Sequence, residues 1–202
     1  MAEALYLMDA DSLMGNSLEK ALSLIDPARR EKALRYFKES DTRLSVAASL
    51  LLTLLKGKDL KVTKTGKPYF EDGPKFCLSH SGHYSCLYAS DEDVGVDIQK
   101  VDSKDYEYVE ACFSEEELQG IDGPESFALA WAKKEACAKC EGLGLFDPKK
   151  QSLRQVENNV YEYERKTYRV EAFLWNGYAV AMAKKGQGEF PKPTLVETKE
   201  FF

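Results

Sequence analysis

The stretch that most constrains the fold is the run from Phe127 to Cys140, FALAWAKKEACAKC. With about 3.6 residues per turn, its small residues form one stripe along a helix: Ala128, Ala132, Ala136 and Cys140. Because small side chains allow a helix to approach another element closely, we expect this stripe to face the core. A neighbouring stripe carries Trp131, Glu135 and Lys139. The run therefore predicts a long helix that presents a carboxylate and an amine together at the rim of a cleft.

The segment from Val94 to Ile98, VGVDI, has the pattern of a buried strand, with Asp97 near its end. If Asp97 faces Glu135, the two acids offer the hard oxygen ligands that Mg²⁺ prefers when it also holds substrate phosphates. Lys139, one turn beyond Glu135, would then neutralise phosphate charge or protonate a leaving oxygen. The alternative is an ordinary ion pair between residues four apart on a helix, and spacing alone favours that alternative.

Charge is unevenly distributed along the chain. The net charge of −6, from 28 Lys and Arg against 34 Asp and Glu, argues against nucleic-acid binding driven by counterion release. Between residues 29 and 38 a single acid, Glu31, stands among five basic residues, which are Arg29, Arg30, Lys32, Arg35 and Lys38. From Asp91 to Glu117 there are eleven acids and two lysines. The first segment could attract phosphate or be a solvated helix face, and the second could attract a divalent cation.

Cysteine and histidine spacing leaves a metal site open as a further possibility. The chain has five cysteines, without an apolar leader or a run long enough to cross a bilayer, so we expect free thiols in a reducing cytoplasm. Cys137 and Cys140 form a C-x-x-C pair, and His80 and His83 form an H-x-x-H pair, which a zinc ion could combine. Isolated pairs of this kind are more often small core residues and turn histidines.

Hydrophobic periodicity predicts an α+β chain. Strands are expected at residues 4–8, within 57–66, and at 76–78, 84–89, 94–98, 160–164, 168–173 and 178–183, and helices at 17–24, from 27, at 44–55, after 114 and at 126–141. Ser114 and Glu117 have the spacing of a capping box. Arg43 is expected to open the third helix, and residues 79–82 to form a hairpin turn. Both features could bind phosphate.

A weak internal repeat in the sequence indicates two similar halves. Each half contains a strand, a glycine turn and a second strand, at residues 78–86 and 174–180, and each contains an alanine-rich helix. We therefore expect α+β halves with antiparallel sheets, spanning residues 1–92 and 93–202, with a cleft between them.

Five motifs stand in a characteristic order. They are Gly66-Lys67-Pro68, Leu78-Ser79-His80-Ser81-Gly82, Gly95-Val96-Asp97-Ile98, Phe113-Ser114-x-x-Glu117 and Trp131-Ala132-Lys133-Lys134-Glu135-Ala136-x-x-Lys139. In this order they resemble the 4′-phosphopantetheinyl transferases of the two-domain, surfactin-synthetase-activating class, over about residues 29 to 139. The single-domain, trimeric holo-acyl-carrier-protein synthases are shorter and lack the N-terminal half.

The resemblance implies a pseudo-twofold α+β fold with coenzyme A between the halves. It implies transfer of phosphopantetheine to a serine of an acyl or peptidyl carrier protein, with release of 3′,5′-ADP. Asp97 and Glu135 would hold Mg²⁺, and Lys139 would contact the α-phosphate. The nucleotide end would be held by Ser79, His80, Lys67 and Arg43, assisted by Arg29 and Lys32. The candidate base is Glu135 or a metal-bound water.

Gln99 departs from the family pattern. Many members place a second acid two residues after the aspartate, where this chain has Asp97-Ile98-Gln99. A neutral amide contributes less charge than a carboxylate, so we expect weaker metal affinity. We do not expect direct ligation by Gln99, and contact through a water is the alternative.

The carrier partner and one competing function complete these expectations. Carrier domains of this family are acidic around their serine, and the connector after Asp97 is acidic as well. We therefore expect the carrier to dock on apolar residues of that connector, namely Tyr108, Val109, Cys112 and Phe113. We expect a monomer without nucleic-acid or membrane partners. The competing function is a non-catalytic coenzyme A binding module, in which Glu135 or Lys139 could be lost.

Overall fold

The structure, a computed structural model, describes residues 3–145 and 147–202. The helices are α1 (Asn16–Leu24), α2 (Pro27–Ala33), α3 (Glu39–Thr53), α4 (Ser103–Tyr106), α5 (Val109–Cys112), α6 (Glu115–Leu118) and α7 (Pro124–Cys140). The strands are β1 (Ala4–Asp9), β2 (Lys58–Val62), β3 (Pro68–Asp72), β4 (Lys75–Ser81), β5 (Tyr84–Ser90), β6 (Val94–Lys100), β7 (Leu153–Glu157), β8 (Val160–Tyr163), β9 (Lys166–Trp175), β10 (Tyr178–Lys184) and β11 (Pro193–Leu195). In this part of the chain no helix is long and apolar enough to cross a membrane.

The strands form two larger sheets and one two-stranded hairpin, which confirms the predicted α+β class. The first sheet has the order β11-β1-β5-β4, and the second has the order β6-β10-β9-β8-β7. Neighbouring strands run antiparallel, except that β11 lies parallel to β1, with Leu5 opposite Pro193. The tail therefore returns to the first sheet. The hairpin of β2 and β3 carries the Gly-Lys-Pro motif at its tip.

Each half has its own core, and a further core joins the halves. Helix α3 contributes Val46 and Leu50 to the core of the first half, and α7 contributes Ala132 to that of the second. A third cluster combines residues of both sheets, including Tyr88 and Met182. Because burial of apolar surface contributes about 25 cal/mol per Å², this shared cluster holds the two sheets against each other.

Gly95 determines how closely α7 approaches β6. A Cβ atom at this position would lie 1.9 Å from the carbonyl oxygen of Ala136 and 2.6 Å from the amide nitrogen of Cys140. Only glycine allows two backbones to approach this closely. Ala136 and Cys140 are 0% and 4% exposed, so the stripe of small residues faces the core as predicted. The contact brings the neighbouring stripe of α7 beside Asp97 in the middle of β6.

Glu117 links two of the sequence motifs through a buried ion pair. The predicted capping box is confirmed, since Ser114 Oγ accepts from the amide of Glu117 at 3.4 Å and the Glu117 carboxylate accepts from the amide of Ser114 at 2.9 Å. The same carboxylate lies 2.8 Å from Nζ of Lys134, which is fully buried. Lys134 also donates to the carbonyls of Cys112 and Pro148. These contacts fix α6 and the connector against α7.

Two local predictions are wrong. Helix α3 begins at Glu39, so Arg43 lies in its second turn instead of at its N-terminus. The extra turn is anchored by Thr42, whose hydroxyl donates to the carbonyl of Ala33 at the end of α2. Ser79 and His80 belong to β4 and pair with β5, so the hairpin turn contains Gly82 and His83 instead. Gly82 has φ of +56°, a conformation that favours glycine.

Several short elements have no counterpart among the predicted ones, and α4, α5 and β7 are examples. The helices α4 and α5 span only four residues each. Strand β7 is largely exposed, so its residues show no alternation of buried and exposed positions. Elements this short or this exposed leave little hydrophobic periodicity to detect.

Candidate active site

The predicted acids and lysine of the C-terminal half meet where β4, β6 and α7 adjoin. Lys139 Nζ donates to Oδ1 of Asp97 at 2.6 Å and to Oγ of Ser79 at 3.0 Å. Ser79 Oγ donates to the same oxygen of Asp97 at 2.7 Å. Glu135 Oε2 lies 3.7 Å from Lys139 Nζ. The lysine therefore lies between the two carboxylates. Its proximity to Glu135 follows from their spacing of four residues on α7.

Exposure rises from one side of this cluster to the other. Asp97 and Ser79 are 4% and 6% exposed, whereas the side chains of Glu135 and Lys139 are 22% and 28% exposed. Glu135 and Lys139 are thus partly accessible to a ligand, while Asp97 is buried beneath them.

The surroundings of Glu135 and Lys139 raise the pKa of both side chains. Burial raises the pKa of Glu135, and the nearby charge of Asp97 raises it further, while Lys139 acts in the opposite direction. For Lys139, burial opposes the charged form, but the carboxylates of Asp97 and Glu135 outweigh burial and raise its pKa. Lys139 therefore stays protonated at neutral pH, which suits charge neutralisation better than proton donation.

The donor set at this cluster fits a hard divalent cation. Besides burial, the charge of Asp97 raises the pKa of Glu135, which means that the two carboxylates repel each other across the lysine. The Lys139 ammonium already lies between them, and their remaining carboxylate oxygens are of the kind that suits Mg²⁺. Among the described residues no group of three or more His, Cys, Asp or Glu is arranged to hold a metal. Protein ligands beyond the two acids would have to come from neutral side chains.

The cysteine and histidine pairs do not form a zinc site within the described residues. Cys137 and Cys140 are free thiols in the core of the C-terminal half. Burial raises the pKa of both, that of Cys140 to about 12, which disfavours the thiolate that binds zinc. His83 instead lies 2.5 Å from Asp11.

His80 extends the cluster toward the basic helix α2. Its side chain is exposed on β4, but the surrounding protein desolvates the ring, and this together with Lys139 lowers its pKa. Lys32 of α2 lowers the pKa as well, whereas Asp41 raises it. The charge of Lys32 therefore reaches the His80 ring.

The two predicted arginines make internal contacts outside the central cluster. Arg43 lies 3.2 Å from Asp11 and 3.2 Å from Glu39, and its Nε is buried without a hydrogen-bond partner among the described residues. Arg29 donates from Nε to Oγ of Ser49 at 3.0 Å. The structure thus places Arg29 and Arg43 on α2 and α3, each already engaged with its own half.

Lys67 joins the β2–β3 hairpin to the end of α7. Its Nζ donates to the backbone carbonyl of Lys139 at 2.7 Å and to that of Val94 at 3.2 Å. A positive charge at the C-terminus of a helix is favourable because it complements the helix dipole. An ammonium has three N–H donors, so one remains for a ligand.

Gln99 has a partner that the sequence did not reveal. Its Nε2 donates to Oδ2 of Asp105 at 2.9 Å. Both residues line a cavity of about 310 Å³ whose other walls are Tyr108, Cys112, Phe127 and Trp131. Asp105 was missed because nothing in its local pattern distinguishes it from the other acids of the connector.

The predicted carrier-docking residues differ in accessibility. Tyr108 is 64% exposed, whereas Phe113 is 1% exposed and packs 5.6 Å from the ring of Phe127. The prediction for Phe113 is therefore wrong, because its side chain belongs to the core beneath the connector. The docking role of Tyr108, Val109 and Cys112 stays a prediction.

Comparison with known proteins relates the segment that contains this site to a protein family. The model of the 4′-phosphopantetheinyl transferase superfamily matches residues 93–183, the segment that supplies Asp97, Glu135 and Lys139. Over these residues the chain is similar to this superfamily. The resemblance expected from the motifs is thereby confirmed.

Relatives in the superfamily align beyond that segment. The chain is 26% identical over 147 residues to 4′-phosphopantetheinyl transferase Sfp of Bacillus subtilis (strain 168), covering 64% of this chain and 66% of that protein. It is 23% identical over 163 residues to 4′-phosphopantetheinyl transferase gsp of Aneurinibacillus migulanus, covering 73% of this chain and 69% of that protein. The alignment with Sfp thus spans slightly under two thirds of its length.

Proposed function

We propose that this protein transfers the 4′-phosphopantetheine group of coenzyme A to a serine of an apo acyl or peptidyl carrier protein, with release of 3′,5′-ADP. The observation that carries the proposal is the convergence of Asp97, Glu135 and Lys139, in which Lys139 Nζ lies 2.6 Å from one acid and 3.7 Å from the other. A binding module has no need for this constellation of buried acids around a protonated amine.

Asp97 and Glu135 are the residues that would hold Mg²⁺, which when bound neutralises charge on the diphosphate. Lys139 adds a positive charge on the same side of the cleft. Its ion pair with Asp97 keeps the ammonium at the place where phosphate charge must be neutralised. The raised pKa of Lys139 keeps it charged throughout the reaction.

Glu135 is the candidate proton acceptor. Burial and the charge of Asp97 raise its pKa in the metal-free protein, whereas coordination of a cation would lower it, so its candidacy depends on its place beside Lys139 in the cluster. In this scheme Glu135 takes the proton of the carrier serine as the serine oxygen attacks the β-phosphate, and the bond to 3′,5′-ADP breaks. Because charge neutralisation and alignment dominate phosphoryl transfer, Lys139 and the cation that the two acids would hold should supply most of the rate acceleration.

The nucleotide end of coenzyme A would lie toward the N-terminal half. His80 and Lys32 are close enough to influence one another electrostatically, and Ser79 links His80's strand to the central cluster. Lys67 retains one N–H for a phosphate. Arg43 and Arg29 would assist from the flanking helices, and both would have to share their present partners with the ligand.

The decisive experiment is incubation of the protein with apo carrier domains of fatty acid, polyketide and nonribosomal peptide synthesis, with coenzyme A and Mg²⁺. Intact mass measurement should show the addition of one phosphopantetheine group to at least one carrier, and none when Mg²⁺ is chelated. Binding of coenzyme A without modification of any carrier would favour the binding module instead. We further expect a monomer, which light scattering measures, in a reducing cytoplasm that suits the free thiols.

A further inference from the structure

The side-chain amide of Gln99 is held in one orientation by two acceptors. Its Nε2 donates to Oδ2 of Asp105 at 2.9 Å and to the backbone carbonyl of Lys100 at 3.3 Å. A carboxylate and a carbonyl accept hydrogen bonds but cannot donate them. The NH₂ group must therefore face these two partners, whichever way an amide of this kind is assigned.

The carbonyl oxygen of Gln99 is left for a different partner. Among the described residues no hydrogen bond to Oε1 is found, and the planar amide turns this oxygen away from Asp105. Gln99 stands two residues after Asp97 on β6, and alternate residues of a strand point to the same face. The free oxygen therefore belongs to the face of β6 that carries Asp97.

We propose that Asp105 is a positioning residue. It fixes the amide of Gln99 so that the oxygen of the amide, and not its NH₂ group, faces whatever binds at Asp97 and Glu135. This inference rests on the proposed function. Asp105 comes from α4, in the connector on which we expect the carrier to dock. The hydrogen bond thus links that connector directly to the metal-binding end of β6.

Asp105 also carries the negative charge that a glutamate at position 99 would have. A glutamate at position 99 would carry one negative charge, and here that charge resides on Asp105, 2.9 Å from the amide. Glutamate at position 99 would place two carboxylates in contact, which is unfavourable without a proton or cation between them. Gln99 and Asp105 therefore form a matched pair, in which neither can change its charge without a cost to the other.

A double-mutant cycle tests the pairing through Mg²⁺ binding. Gln99→Glu, Asp105→Asn and the double variant are titrated with MgCl₂ by calorimetry in the presence of coenzyme A. Charge alone would make Gln99→Glu bind Mg²⁺ more tightly. The contact with Asp105 instead predicts that Gln99→Glu alone weakens Mg²⁺ binding and that addition of Asp105→Asn restores it, because the asparagine amide can donate to the new carboxylate. We expect a coupling of at least about fivefold in affinity. Independent effects, in which the double variant equals the product of the single ones, would overturn the proposal.

A second readout needs neither metal nor activity. In metal-free protein, the side-chain NH₂ resonances of Gln99, assigned by their loss in Gln99→Glu, should be shifted and slow to exchange with water. Asp105→Ala should abolish this protection and Asp105→Asn should retain most of it, since asparagine keeps an acceptor. Glu107→Ala, an exposed acid of the same connector, is the matched control and should change nothing. Unaltered Gln99 resonances in Asp105→Ala would refute the pairing, whereas failure of the proposed function would appear as a wild-type protein that modifies no carrier.

Discussion

Lys139 of α7 donates a 2.6 Å hydrogen bond to Asp97 of β6, although 42 positions separate the two residues in sequence. The contact exists because Gly95 allows the backbone of α7 to lie directly on β6. It brings Glu135, one turn earlier on the helix, within 3.7 Å of the same ammonium. Motifs that are separate in the sequence thus become one constellation.

Removal of either acid should abolish most of the activity. Glu135→Gln and Asp97→Asn are each expected to lower kcat by about a hundredfold, equivalent to roughly 3 kcal/mol of barrier. The reason is that each amide removes a negative charge from the proposed cation site. Rates of carrier modification measured by mass spectrometry test this. Glu157→Gln, an exposed acid on β7, is the control, and a wild-type rate in either site variant would contradict the assignment.

Gly95→Ala should separate α7 from β6. The added methyl group meets the backbone of Ala136, so we expect a loss of about 1–3 kcal/mol in the free energy of unfolding, as for overpacked cores. Activity should fall as well, because Glu135 and Lys139 move with the helix. Urea denaturation and kinetics measure the two effects. Gly123→Ala, where a Cβ meets nothing within 4 Å, should be close to neutral, and equal behaviour of the two variants would disprove the role of Gly95.

Lys134→Ala should destabilise the fold strongly. The change removes the ammonium that pairs with the Glu117 carboxylate and that donates to the carbonyls of Cys112 and Pro148. Breaking a buried ion pair in this way costs about 3–5 kcal/mol of unfolding free energy. Its neighbour Lys133, which is only partly buried, provides the control: Lys133→Ala should lose much less. Comparable losses of unfolding free energy in the two variants, measured by urea denaturation, would mean that the ion pair of Lys134 with Glu117 does not stabilise the fold more than the contacts of Lys133 do.

Glu141 should contribute stability that depends on pH. Burial alone would raise its pKa, but hydrogen bonds from Lys166, Lys185 and Tyr168 outweigh burial and lower the pKa to about 2. A lowered pKa means that the contribution is complete above the unfolded-state pKa of about 4.3 and is lost as pH falls toward 2. The Tm difference between wild type and Glu141→Gln should therefore be largest near neutral pH and shrink below pH 4. A constant difference across this range would exclude the linkage.

Tyr108→Ala should affect the carrier and not coenzyme A. Tyr108 is 64% exposed on the connector, beside the cavity that Gln99 and Asp105 line. We expect a higher KM for the carrier with an unchanged KM for coenzyme A. Tyr69→Ala, on the exposed side of β3, is the control for the loss of a surface tyrosine. If both KM values stay at the wild-type level in Tyr108→Ala, the carrier docks elsewhere.

The local sequence pattern was sufficient to predict the long helices and strands. The helix predicted over residues 126–141 is observed as Pro124–Cys140, and the strand predicted over residues 94–98 is the first part of β6. Both are buried along a regular stripe or run, and this burial is what hydrophobic periodicity records. The start of α3 was misplaced because a contact between Thr42 and the end of α2, far from any periodic signal, adds a turn.

The sequence by itself determined that Glu135 and Lys139 share a helix face and that Asp97 lies in a buried strand, because helix and strand periods fix those relations within a few residues. The strand continues beyond its predicted end to Lys100, so Asp97 lies in its middle. Only the tertiary structure decided that the three side chains meet, that Lys67 and Arg43 are already engaged, and that Asp105 holds Gln99. Such contacts join residues that are distant in sequence or lie in irregular connections. They follow from how the backbones of α7 and β6 pack at Gly95 and how the connector folds over them, which no local pattern encodes.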